Sequence, residues 1–433
     1  MKKIYVILCL FLLGTASAWA QKEYGLKFSS LIDDDLSLEN AIRIGLENNS
    51  EFLTAQQEIT IAEKKVNEAK FQFLPQLSLQ GTATWYSLDY PMVLPDSVAN
   101  RFLPGQTTAD KRDQFFGVGV TATQYLYSGG RIRNTLKIAR ANFKQIQSHY
   151  EIVKNATVLD IKKSFYNLLF AQQYDDFMQT LLDKATAWNT RSSADAWTQI
   201  RLQGTLAQLQ ARRHQAARYL AQAKLAMLVS LNKELNASFT ITGDFSPVRI
   251  ERDLPQLHVR AIESRPELKS AIYALELNNI SIDLALAKRY PDVILNASYE
   301  QLGADTLEDT NKQVSLAVRL PLPYNFSSQI AQKKAEQRKS ALQRSQTEDK
   351  IRMQVAERFE EMYFWQEEVQ QRQESYRQLT AALEKAEKTA SKQGLAPLEA
   401  LQIYAQNAYD YFDAIRQNLI AKAELEWAVG QDL

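Results

Sequence analysis

Residues 47–79 read ENNSEFLTAQQEITIAEKKVNEAKFQFLPQLSL, and residues 263–295 read ESRPELKSAIYALELNNISIDLALAKRYPDVIL. At an offset of 216 Glu47 aligns with Glu263 and Pro75 with Pro291. Both stretches run as helix, meet a proline, and then alternate apolar with polar. Proline has no N–H to continue a helix and pushes the residue before it towards extended geometry. Each copy therefore turns from helix to strand at Pro75 or Pro291, and the chain is an internal duplication.

Strand alternation follows each proline. Leu77, Leu79, Ala83 and Trp85 fall on one side, with Ser78, Gln80, Thr82 and Thr84 on the other. A second strand sets Phe116, Val118, Val120, Ala122 and Leu126 against Gly117, Gly119, Thr121 and Thr123. The second copy repeats the pattern with Val293, Leu295, Ala297 and Tyr299, then with Val314, Leu316, Val318, Leu320 and Leu322. Runs of about 10 residues suit tilted membrane strands, and Trp85 and Tyr299 supply aromatics near their ends. The same alternation also fits a half-buried soluble sheet, so the helices decide between the two.

Those helices are long. Residues 131–203 contain no glycine or proline, and neither do residues 327–393. In the first, Ile132, Leu136, Ala139, Phe143, Ile146, Tyr150 and Val153 recur at alternating spacings of four and three. In the second, Ile351, Val355, Met362, Trp365, Val369, Tyr376, Leu379, Leu383, Ala386 and Ala390 keep one register, interrupted by Arg358 and Arg372. That is a coiled-coil period. A helix of about 60 residues is roughly 90 Å long, beyond the reach of a compact domain. Arg191-Ser192-Ser193 and Gly394-Leu395-Ala396-Pro397 break these runs, so each long helix returns as a shorter one through a tip.

Composition narrows the class. Met1-Lys2-Lys3, the apolar run Ile4 to Leu13 and Ala18-Trp19-Ala20 are laid out as a secretory signal peptide over 1–20. The remainder carries 49 basic and 50 acidic groups and no cysteine, Cys9 lying inside the apolar run. Near-neutrality argues against a nucleic-acid partner, and the lack of cysteine removes thiol chemistry. No later stretch is apolar enough for a membrane helix, so a membrane form has to be a β-barrel. His149, His214 and His258 are scattered, and no nucleophile, metal or phosphate motif accompanies them. No enzyme, metal or cofactor is expected.

The resulting layout has a first repeat over 21–235, with strands about 76–86 and 115–127 and a helical hairpin over 131–231. A linker covers 236–260. The second repeat covers 261–433, with strands about 292–301 and 313–322 and helices 327–393 and 397–429. The fold class is mostly α with a membrane β-barrel, each copy being helix–strand–strand–helix–helix. Four strands cannot close a barrel, and open edges cannot face lipid. Three chains would give 12 strands, wide enough to leave a lumen. The inner face of Ser78, Thr82, Gly117, Gly119, Thr121 and Ser298 suits a water-filled pore.

With these features the sequence resembles the TolC-type outer-membrane efflux protein family. The matching stretches are Leu36-Ser37-Leu38-Glu39-Asn40-Ala41 with Asn48-Asn49-Ser50, Phe73-Leu74-Pro75, and the strand exit Tyr125-Leu126-Tyr127-Ser128-Gly129-Gly130. Gly394 with Pro397-Leu398-Glu399-Ala400-Leu401-Gln402, and the closing Val429-Gly430, complete the match. The resemblance implies a homotrimer with a 12-stranded barrel in the outer membrane of a Gram-negative bacterium and a long α-helical periplasmic tunnel. It also implies a periplasmic adaptor and an inner-membrane pump of RND or ABC type, the chain being the exit duct. Type I protein secretion would use the same duct. The rival of another class is a secreted coiled-coil scaffold without a pore.

The resemblance further places Glu399 and Gln402 at the tunnel constriction, so one of the two positions carries no charge. It makes Arg191, Ser192, Ser193, Gly394, Leu395, Ala396 and Pro397 the candidate adaptor contacts. Pro75, Gly129, Gly130 and Pro291 are the turns between barrel and helices. The second barrel exit departs from the family pattern, with Pro321-Leu322-Pro323 in place of two glycines.

Overall fold

The duplication seen in the sequence recurs in the backbone. A computed structural model describes residues 35–85, 114–191, 196–235, 239–251, 253–303, 307, 309–322, 324–389 and 395–433. Residues 1–20, read above as a signal peptide, lie outside the described residues, as do Ser192, Ser193, Gly394, Pro323 and the whole connection from Leu88 to Arg112. The first repeat comprises β1 (Asp35–Leu36), α1 (Leu38–Asn48), α2 (Ser50–Phe71), β2 (Gln76–Trp85), β3 (Gln114–Ser128), α3 (Arg131–Arg191) and α4 (Ala196–Ser230). Then come β4 (Thr240–Ile241), α5 (Leu254–Ser264), α6 (Pro266–Ala287), β5 (Asp292–Gly303), β6 (Asp309–Arg319), α7 (Phe326–Thr389) and α8 (Leu395–Val429). The offset of 216 holds for the starts of α1 and α5, α2 and α6, and β2 and β5. It falls to 195 at β3 and β6 and at α3 and α7, because the connection after β2 is longer than the one after β5, and is 199 at α4 and α8.

Local chemistry fixes the helix starts. The Ser37 hydroxyl accepts a hydrogen bond from the Asn40 N–H (3.3 Å), and the Asn49 side chain accepts one from Phe52 (2.9 Å), so α1 and α2 carry side-chain caps. In the second repeat α5 and α6 begin instead with proline in the first turn.

The four long strands form one antiparallel sheet in the order β2-β3-β5-β6. The helices beneath it follow the same order: α2 packs on α3, α3 on α6, and α6 on α7. β6 stops at Arg319, so Leu320 and Leu322 fall beyond the strand; Pro321 there cannot donate a ladder hydrogen bond. β3 is bulged between Tyr125 and Tyr127, which exposes both Leu126 and Tyr127.

The α3 and α7 helices, of 61 and 64 residues, are each roughly 90–95 Å long. At their far ends α4 and α8 fold back on them. The short β1–β4 parallel pair sits at the waist, where Leu36, Ile44, Ile161, Phe165, Met227, Leu231 and Ile241 form one core. Below it, Phe170, Met178, Leu202, Leu209, Leu401 and Ala405 join α3, α4 and α8. A third core joins Leu257, Ile351, Val355, Met362, Leu425 and Val429. Burial of a side chain such as Phe165 or Phe170 contributes roughly 2–3 kcal/mol, and both are almost completely enclosed.

The two seams read from the sequence differ in burial. On α7, Ile351, Val355, Met362, Val369 and Leu383 are buried. Arg358 reaches Glu424 on α8 (2.7 Å), and Arg372 donates to the Asp410 carbonyl (3.0 Å), so each interruption is satisfied by the partner helix. On upper α3, Ile132, Leu136, Ala139, Phe143, Ile146 and Tyr150 are half-buried and only Val153 is enclosed. The reason is lateral packing: α3 lies between α2 and α6 and divides its contacts between two neighbours.

Candidate functional site

Three regions bear on what the molecule can do: the sheet, the turns beneath it, and the helical tip.

On the sheet, alternation and register sort the side chains into rows. Leu77, Ala122, Ala297 and Val314 lie side by side, and next to them Leu79, Val120, Tyr299 and Lys312. The other face carries Gln76, Thr123, Asn296 and Ser315 in one row and Ser78, Thr121, Ser298 and Gln313 in another. Thr123 donates to the Asn296 side chain across the strands (3.0 Å). Phe115, Ile294, Leu302 and Ala317 are apolar residues in the rows of this face, and Tyr125 is an aromatic one. Among the described residues no element covers the apolar face: Leu77 is 75% exposed, Leu79 72% and Val314 77%. A sheet folded for water would bury this side, so it is built to meet an apolar medium. β2 and β6 are open edges, and α2 and α7 are the matching outer helices below them.

The turns lock the sheet to the helices. Gly129 and Gly130 have φ of +60° and +84°, a region that side chains rarely adopt. A Cβ at Gly129 would come within 2.6 Å of the Tyr290 Cβ and 2.7 Å of the Ala287 carbonyl. The exit turn of the first repeat is thus wedged against the turn that leads through Pro291 into β5. Arg131 pairs with Asp292 (3.2 Å) and lies 5.5 Å from the centre of the Tyr125 ring. Pro75 and Pro291 each stand one residue before a strand.

At the tip, Arg191 closes α3, and Leu395, Ala396 and Pro397 open α8. Glu399 lies one turn into α8, where Arg201 of α4 pairs with its carboxylate (2.8 Å). Gln402 donates to the Gln208 side chain on the same helix (2.6 Å). Both residues named for a constriction therefore contact the first repeat within one chain. Sequence reading passed over Arg201 and Gln208, though a signal existed. α4 carries Arg201, Arg212, Arg213, Arg218 and Lys224 and no acidic residue, while its neighbour α8 carries Glu399, Asp410 and Asp413.

The waist holds a second set of inter-repeat pairs. Lys162 on α3 meets Glu426 on α8 (2.7 Å), and Lys163 meets Glu424 (2.5 Å). Burial alone would lower the Lys162 pKa, but its hydrogen bond to Glu426 and the charges of Glu426 and Asp432 outweigh that and raise it. Among the described residues no three His, Cys, Asp or Glu side chains group as metal ligands, and no helix is long and apolar enough to cross a membrane.

Comparison with known proteins agrees with this geometry. The family model described as outer membrane efflux protein matches residues 41–232. The open-state MtrE outer membrane channel of Neisseria gonorrhoeae superposes with a TM-score of 0.73 at 16% identity, over 92% of this chain and 89% of that one. The Campylobacter jejuni CmeC outer membrane channel gives 0.71 at 14%, over 91% and 85%. The outer membrane protein VceC of Vibrio cholerae gives 0.73 at 14%, over 91% and 96%. No curated protein matches by sequence. The helix–strand–strand–helix–helix duplication is thus the fold of outer-membrane channels, and the resemblance to outer membrane efflux proteins holds.

Proposed function

From this kinship with outer membrane efflux proteins, we propose that the chain is one third of a homotrimeric exit duct in the outer membrane of a Gram-negative bacterium. The observation that carries this is the four-stranded sheet, apolar and uncovered on one face, polar on the other, and open at both edges. β2 and β6 run antiparallel to their inner neighbours, so β6 of one copy can pair with β2 of the next and continue the alternation. Three copies close 12 strands around a polar lumen. α2 and α7 repeat the same pair of edges below, so one rotation joins barrel and tunnel. The α3/α4 and α7/α8 hairpins carry that tunnel into the periplasm.

In this reading small molecules are driven through by an inner-membrane pump and a periplasmic adaptor, and the duct itself does no chemistry. Glu399 and Gln402 line the narrow end. Arg191, Ser192, Ser193, Gly394, Leu395, Ala396 and Pro397 form the surface offered to the adaptor. The pairing of Glu399 with Arg201 supports a gate that ties α8 to α4. The test is reconstitution of the purified protein in planar bilayers, with its subunit count from native mass spectrometry. Trimers that conduct are expected. Monomers recovered from the soluble periplasm, or bilayers without pores, would end the reading.

A further inference from the structure

The helical side of the barrel rim repeats one pairing of residue types. Lys70-Phe71 leads towards β2, Tyr127 and Arg133 flank the exit of β3, and Lys288-Arg289-Tyr290 leads into β5. Phe71, Tyr127 and Tyr290 are all exposed, 66%, 48% and 54% respectively. Aromatics in such a position mark a membrane–water boundary. Beyond them, α3 carries Arg133, Lys137 and Arg140, all exposed, and none has an ion-pair partner among the described residues.

The direction of this stripe follows from helix geometry. At about 100° per residue the three cations share an arc of roughly 60°, centred nearly opposite Arg131. Arg131 itself is bound to Asp292 and stacked on Tyr125. By alternation both of these lie on the polar face with Asn296 and Thr123. With the polar face towards the lumen, Arg131 points inwards and the stripe points outwards. α3 is flanked by α2 and α6 of its own chain, so a neighbouring copy meeting α2 or α7 leaves its outer face free. The three side chains start about 5, 10 and 15 Å below Gly130. A headgroup layer is about 5–7 Å deep, and long cationic side chains reach back towards it.

We propose that Arg133, Lys137 and Arg140 form an external basic collar that binds the phosphates of anionic glycerophospholipids in the membrane leaflet facing the periplasm. The observation favouring a lipid surface over a soluble anion is continuity: the stripe directly extends the aromatic rim and the apolar sheet face. The collar rests on the barrel reading above. In the trimer it would present nine cations around the tunnel, each strengthening contact with an anionic surface roughly fivefold at low salt.

The full-length channel, reconstituted in phosphatidylcholine bilayers with trace spin-labelled phosphatidylglycerol or spin-labelled phosphatidylcholine, tests this. The fraction of each label held at the protein surface is read by electron paramagnetic resonance. The wild type is expected to hold phosphatidylglycerol at least about threefold more strongly, and to lose that preference in molar salt. Arg133→Gln/Lys137→Gln/Arg140→Gln is expected to hold the two lipids equally, with conductance and ion selectivity unchanged. Equal retention by the wild type would overturn the proposal even if the variant does not fold. So would a variant that keeps the lipid preference, or one that alters only ion selectivity, which would put the stripe in the lumen. A wild type that forms no pores would instead remove the barrel reading beneath it.

Discussion

The two repeats make the same kink between their short helices and close it with different chemistry. In the first, α1 passes to α2 through Asn48 and Asn49; in the second, α5 passes to α6 through Ser264 and Arg265, at equivalent positions. Asn49 looks forward and caps α2. The returning helix α4 is held by Asn232, which donates to the Asn48 carbonyl (2.9 Å) from a backbone at φ +51°. Arg265 looks the other way. It donates to the Trp427 carbonyl (2.9 Å) and to Gln354 (3.1 Å), and its guanidinium lies 4.4 Å from the centre of the Trp427 ring. Ser264 adds a bond to the Val429 carbonyl (2.8 Å). The first satisfies a carbonyl left unpaired at the C-terminal end of the short helix α1, and the second satisfies those at the C-terminal end of the hairpin helix α8. The second also sets a cation against the negative end of that helix.

The price of the second solution is burial. Arg265 is 3% exposed, and desolvation lowers its pKa while the charge of Glu267, 2.9 Å away, works in the opposite direction. A buried charge with several partners destabilises strongly when removed, because the partners stay behind unpaired. Arg265→Met is expected to cost about 3–5 kcal/mol. Asn49→Ala removes a single cap and is expected to cost about 1 kcal/mol. Denaturant melts of the helical circular dichroism signal compare the two. Equal losses would mean that the kinks are interchangeable and that the Arg265 network adds no more than a cap.

This asymmetry marks where sequence reading stops. The duplication, the order of elements and the two faces of the sheet are carried by local signals. Proline ends a helix wherever it falls, and a period of two assigns Leu77 and Ser78 to opposite faces without any knowledge of neighbours. The partners of Arg358 and Arg372 are different in kind. In the sequence they only interrupt a seam, and each becomes intelligible once α8 brings Glu424 or the Asp410 carbonyl alongside. Arg201 and Arg265 are likewise ordinary arginines until a helix some 160–200 residues away closes on them. The half-buried seam of upper α3 has the same origin, since a helix with two neighbours carries the same periodicity as a helix with one. At the tip, Ser192, Ser193 and Gly394 lie outside the described residues, so the contact with Arg201 is what the structure adds there.

At the waist the joint runs between repeats and not within one. Lys162 and Glu426 are mostly enclosed, at 15% and 9% side-chain exposure. The Lys162 pKa is raised in the folded chain, by Glu426 and Asp432 acting against desolvation. A raised folded-state value means that the pair contributes in full below the unfolded lysine value of about 10.4, and fades as pH climbs through the folded value. The stability difference between wild type and Lys162→Met is therefore expected to be flat between about pH 6 and pH 9 and to shrink above about pH 10. Its plateau should lie below the Arg265→Met loss, because Lys162 has fewer neutral partners to abandon. Melts across that range decide it, and a difference that already narrows by pH 8 would deny the raised pKa.

The tip joint between Arg201 and Glu399 should matter least for stability and most for passage. Its side chains are 65% and 48% exposed, so water and salt screen the pair and removing it changes stability by about 0–1 kcal/mol. Its effect on ions has a sign for each partner. If Glu399 lines the narrow end, Glu399→Gln withdraws three negative charges from the trimer's constriction and lowers cation preference. Arg201→Gln removes the cation beside each of them and raises it. Reversal potentials in a salt gradient across a planar bilayer read both. Opposite shifts from the two variants, with melting almost unchanged, would separate a gate from a structural clasp. Shifts of the same sign, or none, would make the pair one more surface contact between the repeats.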